Sequence, residues 1–214
     1  MKFIFLISNS LVLYLWLIFA TAASLETGDF IFVDLDCGPI CEAIEDVTLQ
    51  QFGKENPRLS HVGILEKVGN EFFVWEAWPE GGVVATSLKK FLNRKNSKNY
   101  LASVSPSLRD EAQRAVEFIK SKKGLPYNSS FLNNENSYYC SQLIQAALPE
   151  FFTLLPMYFG IPSDKNYTAW ISYFQSLGIS MPQGQLGVSP LGILKMGMNT
   201  NLFDSPLILI EKDS

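Results

Sequence analysis

This chain of 214 residues contains one histidine, His61, within "SHVGILE" at 60–66. Proton transfer near neutral pH by an ordinary side chain therefore has a single carrier available. Two further residues could join it in a reaction centre. Cys140 follows the polar run "NNENSYY" and opens an apolar stretch, "CSQLIQAAL", that reads as a helix. A thiol at a helix start is favoured as its thiolate, the nucleophilic form. Glu76 interrupts the apolar "FFVWEAW", where a carboxylate without a partner is costly to bury. If the stretches carrying His61 and Glu76 pair as a hairpin, Glu76 can accept a hydrogen bond from the distal imidazole nitrogen and fix the tautomer, which completes a set of nucleophile, base and orienter. Each residue also has a plainer reading: Cys140 as a small apolar residue at a helix–sheet contact, His61 as a surface or satisfied core residue, Glu76 as a solvent-facing side chain on an edge strand.

The elements that would position these groups follow from periodicity. "GDFIFV" (28–33) reads as a buried strand and "GPICEAIEDVTLQQF" (38–52) as a helix packed on it. "SHVGILEKV" and "EFFVWEAW", separated by Gly69-Asn70, give a hairpin signal. A short strand in "GGVVATSL", a helical turn or two in "LKKFL" and a strand in "YLASVS" come next. "SPSLRDEAQRAVEFIKSKKG" is the clearest helix, with early acids, late lysines and a glycine stop. Residues 138–148 predict a second, more apolar helix, and 163–178 a third, capped by Ser163 and stopped by Gly178. "SPLILIEK" could close as a strand. The stretches 149–162 and 186–201 read as irregular loops. Repeats, low-complexity tracts and linkers are absent, so 23–214 is expected to form a single α+β domain.

The first 22 residues, a lysine then a long apolar run ending in Ala20, Thr21 and Ala22, match a secretory signal peptide; an uncleaved membrane anchor is the alternative. The expected location is secreted or periplasmic, or membrane-anchored if the leader is retained. Seventeen basic against 21 acidic residues give a net charge of −4. The short basic runs, "KK" at 89 and 122 and "NRKNSKN" at 93–99, read as solvated surface, and nucleic acid is excluded as a partner. Of three cysteines, Cys37 and Cys41 in "DCGPIC" are the natural disulfide candidates in an oxidising compartment, with two buried small residues or a redox role as alternatives, and Cys140 is the odd thiol. Asp29 is expected to be a turn carboxylate rather than a catalytic acid. "NSS" at 128 and "NYT" at 166 are acceptor patterns for N-linked glycans, meaningful only in a eukaryotic host.

Five segments in order, "GDFIF", "SHVGIL", "VWEAWPEGGV", "GLPYN" and "YYCSQLIQAAL", resemble the YiiX/YebB-like group of the NlpC-type superfamily, papain-like cysteine hydrolases in circularly permuted form. The likeness spans about residues 27–148. Ordinary NlpC-type enzymes place the cysteine helix before the histidine strand, and here the histidine comes first, as a permuted member requires. The resemblance implies a circularly permuted papain-like fold, a mostly antiparallel sheet packed against helices, with Cys140 as nucleophile, His61 as base and Glu76 as orienter. It implies hydrolysis of amide bonds, often in peptidoglycan peptides, through an acyl-thioester. A permuted branch resembling lecithin:retinol acyltransferase acts on lipid esters, and "PEFFTLLPMYFGIP" could supply a greasy cleft or lid for such a substrate. A non-catalytic binding module on the same fold is the third reading. Tyr127 could line the site or pack beneath it; of Tyr138 and Tyr139, one is expected in the core and one, Tyr139 as the substrate-side candidate, in the cleft. The expected partner is an amide-containing small molecule or peptide. No cofactor and no metal are expected, and membrane proximity only if the leader stays attached.

Overall fold

The structure is a computed structural model that describes residues 25–204 and 207–210. The expected leader over 1–22 lies outside the described residues, as does the end of the expected closing strand. The elements in chain order are β1 (Phe30–Leu35), α1 (Pro39–Phe52), β2 (His61–Val68), β3 (Glu71–Trp78), β4 (Gly82–Ser87), α2 (Leu88–Leu92), β5 (Ser97–Ala102), a short 3₁₀ turn (Pro106–Leu108), α3 (Arg109–Ser121), α4 (Cys140–Ala147), β6 (Leu155–Pro156), α5 (Tyr167–Ser176), β7 (Leu186–Gly187), α6 (Pro190–Asn199) and β8 (Ile208–Ile210).

Six strands form one sheet in the order β4-β3-β2-β1-β5-β8, with every adjacent pair antiparallel. β1 lies inside it, and Phe30, Ile31, Phe32 and Val33 are all fully buried. A strand covered on both faces reads as a continuous apolar run, which is why "FIFV" lacks alternation. Phe30 and Phe32 join Val62, Ile64 and Ala77 in a core with Ala112, Ala115, Val116 and Ile119 of α3 and Leu143 and Ile144 of α4. Ile31 and Val33 face the opposite side with Leu65, Val74 and Phe91 of α2. Asp29 is buried beside β1, accepting from the amides of Glu26 and Val104 and from Arg109 Nη1 at 2.6 Å, and so acts as a structural carboxylate. Cys37 and Cys41 are joined by a disulfide across the start of α1.

The stretch 186–201, expected as a loop, instead contains α6. Ser189 caps it by accepting from the amide of Gly192, and Pro190 occupies its first turn. Because α6 is buried around much of its circumference, it shows no polar stripe from which a period could be read. Gly197 hides it further: an added Cβ would lie 2.2 Å from the Phe203 ring, so the glycine makes room for that ring rather than breaking the helix. The expected loop at 149–162 contains only the two-residue β6, which pairs with β7. The helix expected over 163–178 is shorter, starting at Tyr167 after Asn166 rather than at Ser163.

Candidate active site

β2 and β3 are paired from Ile64↔Trp75 to Val68↔Glu71, and His61 on β2 and Glu76 on β3 extend past the end of that ladder. There the His61 ring meets the Glu76 carboxylate, Nε2 lying 2.7 Å from Oε2. The other ring nitrogen, Nδ1, is left to Cys140, whose sulfur is hydrogen-bonded to His61. Cys140 is the first residue of α4, and the backbone amides of Ser141 and Val62 also hydrogen-bond to its sulfur. The start of α4 is held by Gln142, whose Oε1 accepts from the Tyr139 amide and from Asn128 Nδ2, while its Nε2 donates to Asn133 Oδ1 and to the Asn134 carbonyl. The structure thus brings the three sequence-derived residues, Cys140, His61 and Glu76, together in that order.

All three are buried: Cys140 is 6% exposed, His61 4% and Glu76 0%. Burial alone would push the histidine toward neutrality, but the Cys140 thiolate and the Glu76 carboxylate outweigh it and raise the His61 pKa to about 9. Burial would likewise raise Glu76; hydrogen bonds and charge from His61 and Arg94 overcome it and hold Glu76 down at about 2. Cys140 is lowered below its ordinary value, the cost of burial being exceeded by the imidazolium charge and by hydrogen bonds from His61 and the two amides. Both shifts favour a thiolate facing an imidazolium over the neutral pair, the form suited to attack a carbonyl and then protonate a leaving group.

Two residues of this centre escaped the sequence. Thr86 on β4 donates to Glu76 Oε1 at 2.6 Å. Arg94, between α2 and β5, places Nη1 2.8 Å from Oε2 and Nη2 2.5 Å from Oε1. The "NRKNSKN" stretch, read as solvated surface, is corrected at Arg94, Ser97 and Asn99: Ser97 and Asn99 are buried on β5, and the Arg94 side chain is only 14% exposed, its guanidinium 3.7 Å from the Trp78 ring and 4.4 Å from the Phe91 ring. A signal for it did exist, since a buried carboxylate on β3 demands a cationic partner, but the partner's position in sequence depends on how the chain leaves α2.

Cys140 opens into a cleft whose walls include Tyr127, Phe131, Tyr139, Phe159 and Trp170. Both tyrosines proposed for the substrate side line it, while Tyr138 belongs to the main core. Burial, followed by the Cys140 charge, raises the Tyr127 phenol well above its usual value, so it stays protonated beside the sulfur. The Tyr139 hydroxyl accepts from the Val188 amide at 3.1 Å, and Ser141 Oγ donates to the Val188 carbonyl at 2.7 Å, which fixes the β7 rim to the start of α4. Residues 155–159 of the apolar stretch also line the cleft. Of the two glycan acceptor patterns, Asn128 is 3% exposed with its amide spent on Leu132 and Gln142, and Asn166 Nδ2 donates to Asp46.

Over residues 24–167 the chain matches the family described as "Permuted papain-like amidase enzyme, YaeF/YiiX, C92 family". No curated protein matches it. Among solved structures it is similar to one described as the metalloprotein yiiX from Escherichia coli O157:H7, at 22% identity and a TM-score of 0.66, covering 88% of this chain and 97% of that one. Identity at that level speaks to the fold alone. Among the described residues no group of three or more His, Cys, Asp or Glu side chains is placed to hold a metal ion.

Proposed function

The chain belongs to the permuted papain-like amidase family (YaeF/YiiX, C92), and from this premise we propose that it is a cysteine hydrolase of amide bonds acting through Cys140, His61 and Glu76. The observation that carries the reading is the continuous line of contacts from the Cys140 sulfur through the His61 ring to Glu76. The Cys140 thiolate attacks the amide carbon. The backbone amide of Cys140 at the start of α4 is the proposed donor to the oxyanion. His61, as imidazolium, protonates the leaving amine as the C–N bond breaks, leaving an acyl-thioester on Cys140. Neutral His61 then takes a proton from water, hydroxide adds to the thioester, and the acid departs as the thiolate and imidazolium are restored. Glu76 holds the ring and offsets its charge throughout. Export forms part of the proposal, supported by the leader-like residues 1–22, which lie outside the described residues, and by the Cys37–Cys41 disulfide.

The mostly apolar cleft walls favour a substrate with an apolar group next to the scissile bond, and they keep a second reading in view, a lipid ester as acyl donor. The protein is to be incubated separately with an N-acyl amino acid, a cell-wall peptide and a phospholipid, and the intact mass followed for an acyl adduct on Cys140. An adduct from either amide that disappears in Cys140→Ala supports amide hydrolysis. An adduct from phospholipid alone selects the ester reading, and turnover that persists in Cys140→Ala refutes both.

A further inference from the structure

We propose that Arg94 is a positioning residue: lying against the rings of Trp78 and Phe91, its guanidinium grips both oxygens of Glu76, so that the carboxylate stays ionised and aimed at His61, and this fixes the tautomer through which Cys140 gives up its proton. The inference rests on the proposed cysteine chemistry and extends it by one residue.

Glu76 is sealed from water and accepts from three residues on three segments: His61 of β2, Thr86 of β4 and Arg94 of the α2–β5 link. Arg94 supplies two of the four hydrogen bonds, one to each oxygen, in the two-pronged geometry that a guanidinium can make and an ammonium cannot. Its own placement is set on both sides. The Arg94 amide donates to the Phe91 carbonyl and its carbonyl accepts from Ser97 Oγ at 2.9 Å, while its guanidinium lies against the two rings. The same rings flank the imidazole, His61 lying 5.3 Å from Trp78 and 6.0 Å from Phe91. The charges then alternate along one line: guanidinium, carboxylate, imidazolium, thiolate.

Without Arg94 the dry carboxylate keeps only His61 and Thr86, and burial favours its protonated form. A protonated Glu76 donates where it now accepts. His61 Nε2 would have to accept in turn, and the ring proton would move to Nδ1, facing Cys140, where no acceptor remains for the thiol proton.

The test compares the rate of Cys140 alkylation by iodoacetamide at pH 6 and pH 10 in the unmodified protein, Arg94→Met and Arg94→Lys. The expected result is a fall of about tenfold or more at pH 6 in Arg94→Met, with a rate near that of the unmodified protein at pH 10, where the thiol ionises unaided. Millimolar guanidinium, taking the place of the lost head group against the two rings, is expected to restore the pH 6 rate in Arg94→Met. Lost packing alone would lower the melting temperature without changing the ratio of the two rates. Arg94→Lys keeps a positive charge on a long stem but not the two-pronged grip, so it answers the question even where Arg94→Met does not fold; a pH 6 rate below that of the unmodified protein is expected. An unmodified protein that reacts rapidly at pH 6, together with a folded variant that reacts just as rapidly, overturns the role of Arg94 alone. An unmodified protein no faster at pH 6 than a free thiol refutes the cysteine chemistry itself, and the role of Arg94 with it.

Discussion

Replacing Glu76 by glutamine keeps the shape of the side chain and removes its charge. The carboxylate accepts four hydrogen bonds, Oε1 from Thr86 and Arg94 Nη2, Oε2 from His61 and Arg94 Nη1. An amide offers one oxygen and one NH₂ group, so in either orientation it turns an N–H against an Arg94 N–H. If the NH₂ group faces His61, ring Nε2 must accept, the ring proton shifts to Nδ1, and the base for Cys140 is gone. If it faces Thr86, that hydroxyl can rotate to accept, but Arg94 Nη2 loses the Glu76 oxygen it donates to. One charge-assisted hydrogen bond is worth about 1.5–3 kcal/mol, and a stranded buried charge costs up to about 5, less here because Arg94 retains some exposure. A destabilisation of about 2–4 kcal/mol is expected. For reactivity, lifting His61 from 6.5 to about 9 corresponds to about 3 kcal/mol in favour of the imidazolium. Cys140 ranks before Glu76 among the groups that raise it, so removing the Glu76 charge lowers His61 by the smaller part of that shift and reduces the thiolate fraction at pH 6. Because Cys37 and Cys41 are bridged and Cys140 is the free cysteine, alkylation at pH 6 followed by peptide mass spectrometry reads the thiolate directly. A folded Glu76→Gln protein that alkylates at the original rate would refute the assignment of Glu76 as orienter.

Three further outcomes follow from the same geometry. Glu76 lies below its unfolded value, 4.5 falling to about 2, so the stability it contributes is present above pH 4.5 and lost as pH falls toward 2; urea unfolding at stepped pH should show this loss, and it should vanish in Glu76→Gln. Glu45 is raised by burial from 4.5 to about 6, and its stabilising effect at low pH disappears as pH rises from 4.5 to 6. Glu45→Gln should therefore gain about 1 kcal/mol at pH 7 and none at pH 4, since Arg58 keeps Asp46 at 2.9 Å; a net loss at pH 7 would contradict this. A Cβ at Gly63 would lie 2.4 Å from Val74 Cγ1 and 3.0 Å from the Trp75 carbonyl, so Gly63→Ala should push β3 away from β2 beside the His61–Glu76 contact, costing about 1–3 kcal/mol in unfolding and lowering alkylation at pH 6; an unchanged rate would show the contact to be insensitive to that spacing.

What the sequence disclosed and what it concealed divide along physical lines. The hairpin was legible because Gly69-Asn70 separates two β-rich runs, and α3 because its acids, apolar stripe and lysines agree with one another. Glu76 was legible as an anomaly: a charge in an apolar strand must have a partner. The partner itself, Arg94, was not, because its neighbours Lys95 and Asn96 are exposed and only tertiary placement separates it from them. The α6 helix was hidden because a buried helix with glycines at contact points has no amphipathic period. The Gln142 amide, which ties the 128–134 loop to the start of the cysteine helix, left no local trace, since its partners are fixed by the path of the loop.

Because the chain has one histidine, its imidazole can be followed without assignment. A titration by nuclear magnetic resonance of ¹³C,¹⁵N-histidine-labelled protein reads the protonation of His61 and of no other ring. The account predicts a ring that stays protonated through neutral pH and titrates near 9, with that value falling in Cys140→Ala as the thiolate is removed. A ring that titrates near its ordinary value of 6.5, unmoved by Cys140→Ala, would show that no thiolate–imidazolium pair exists and would contradict the account.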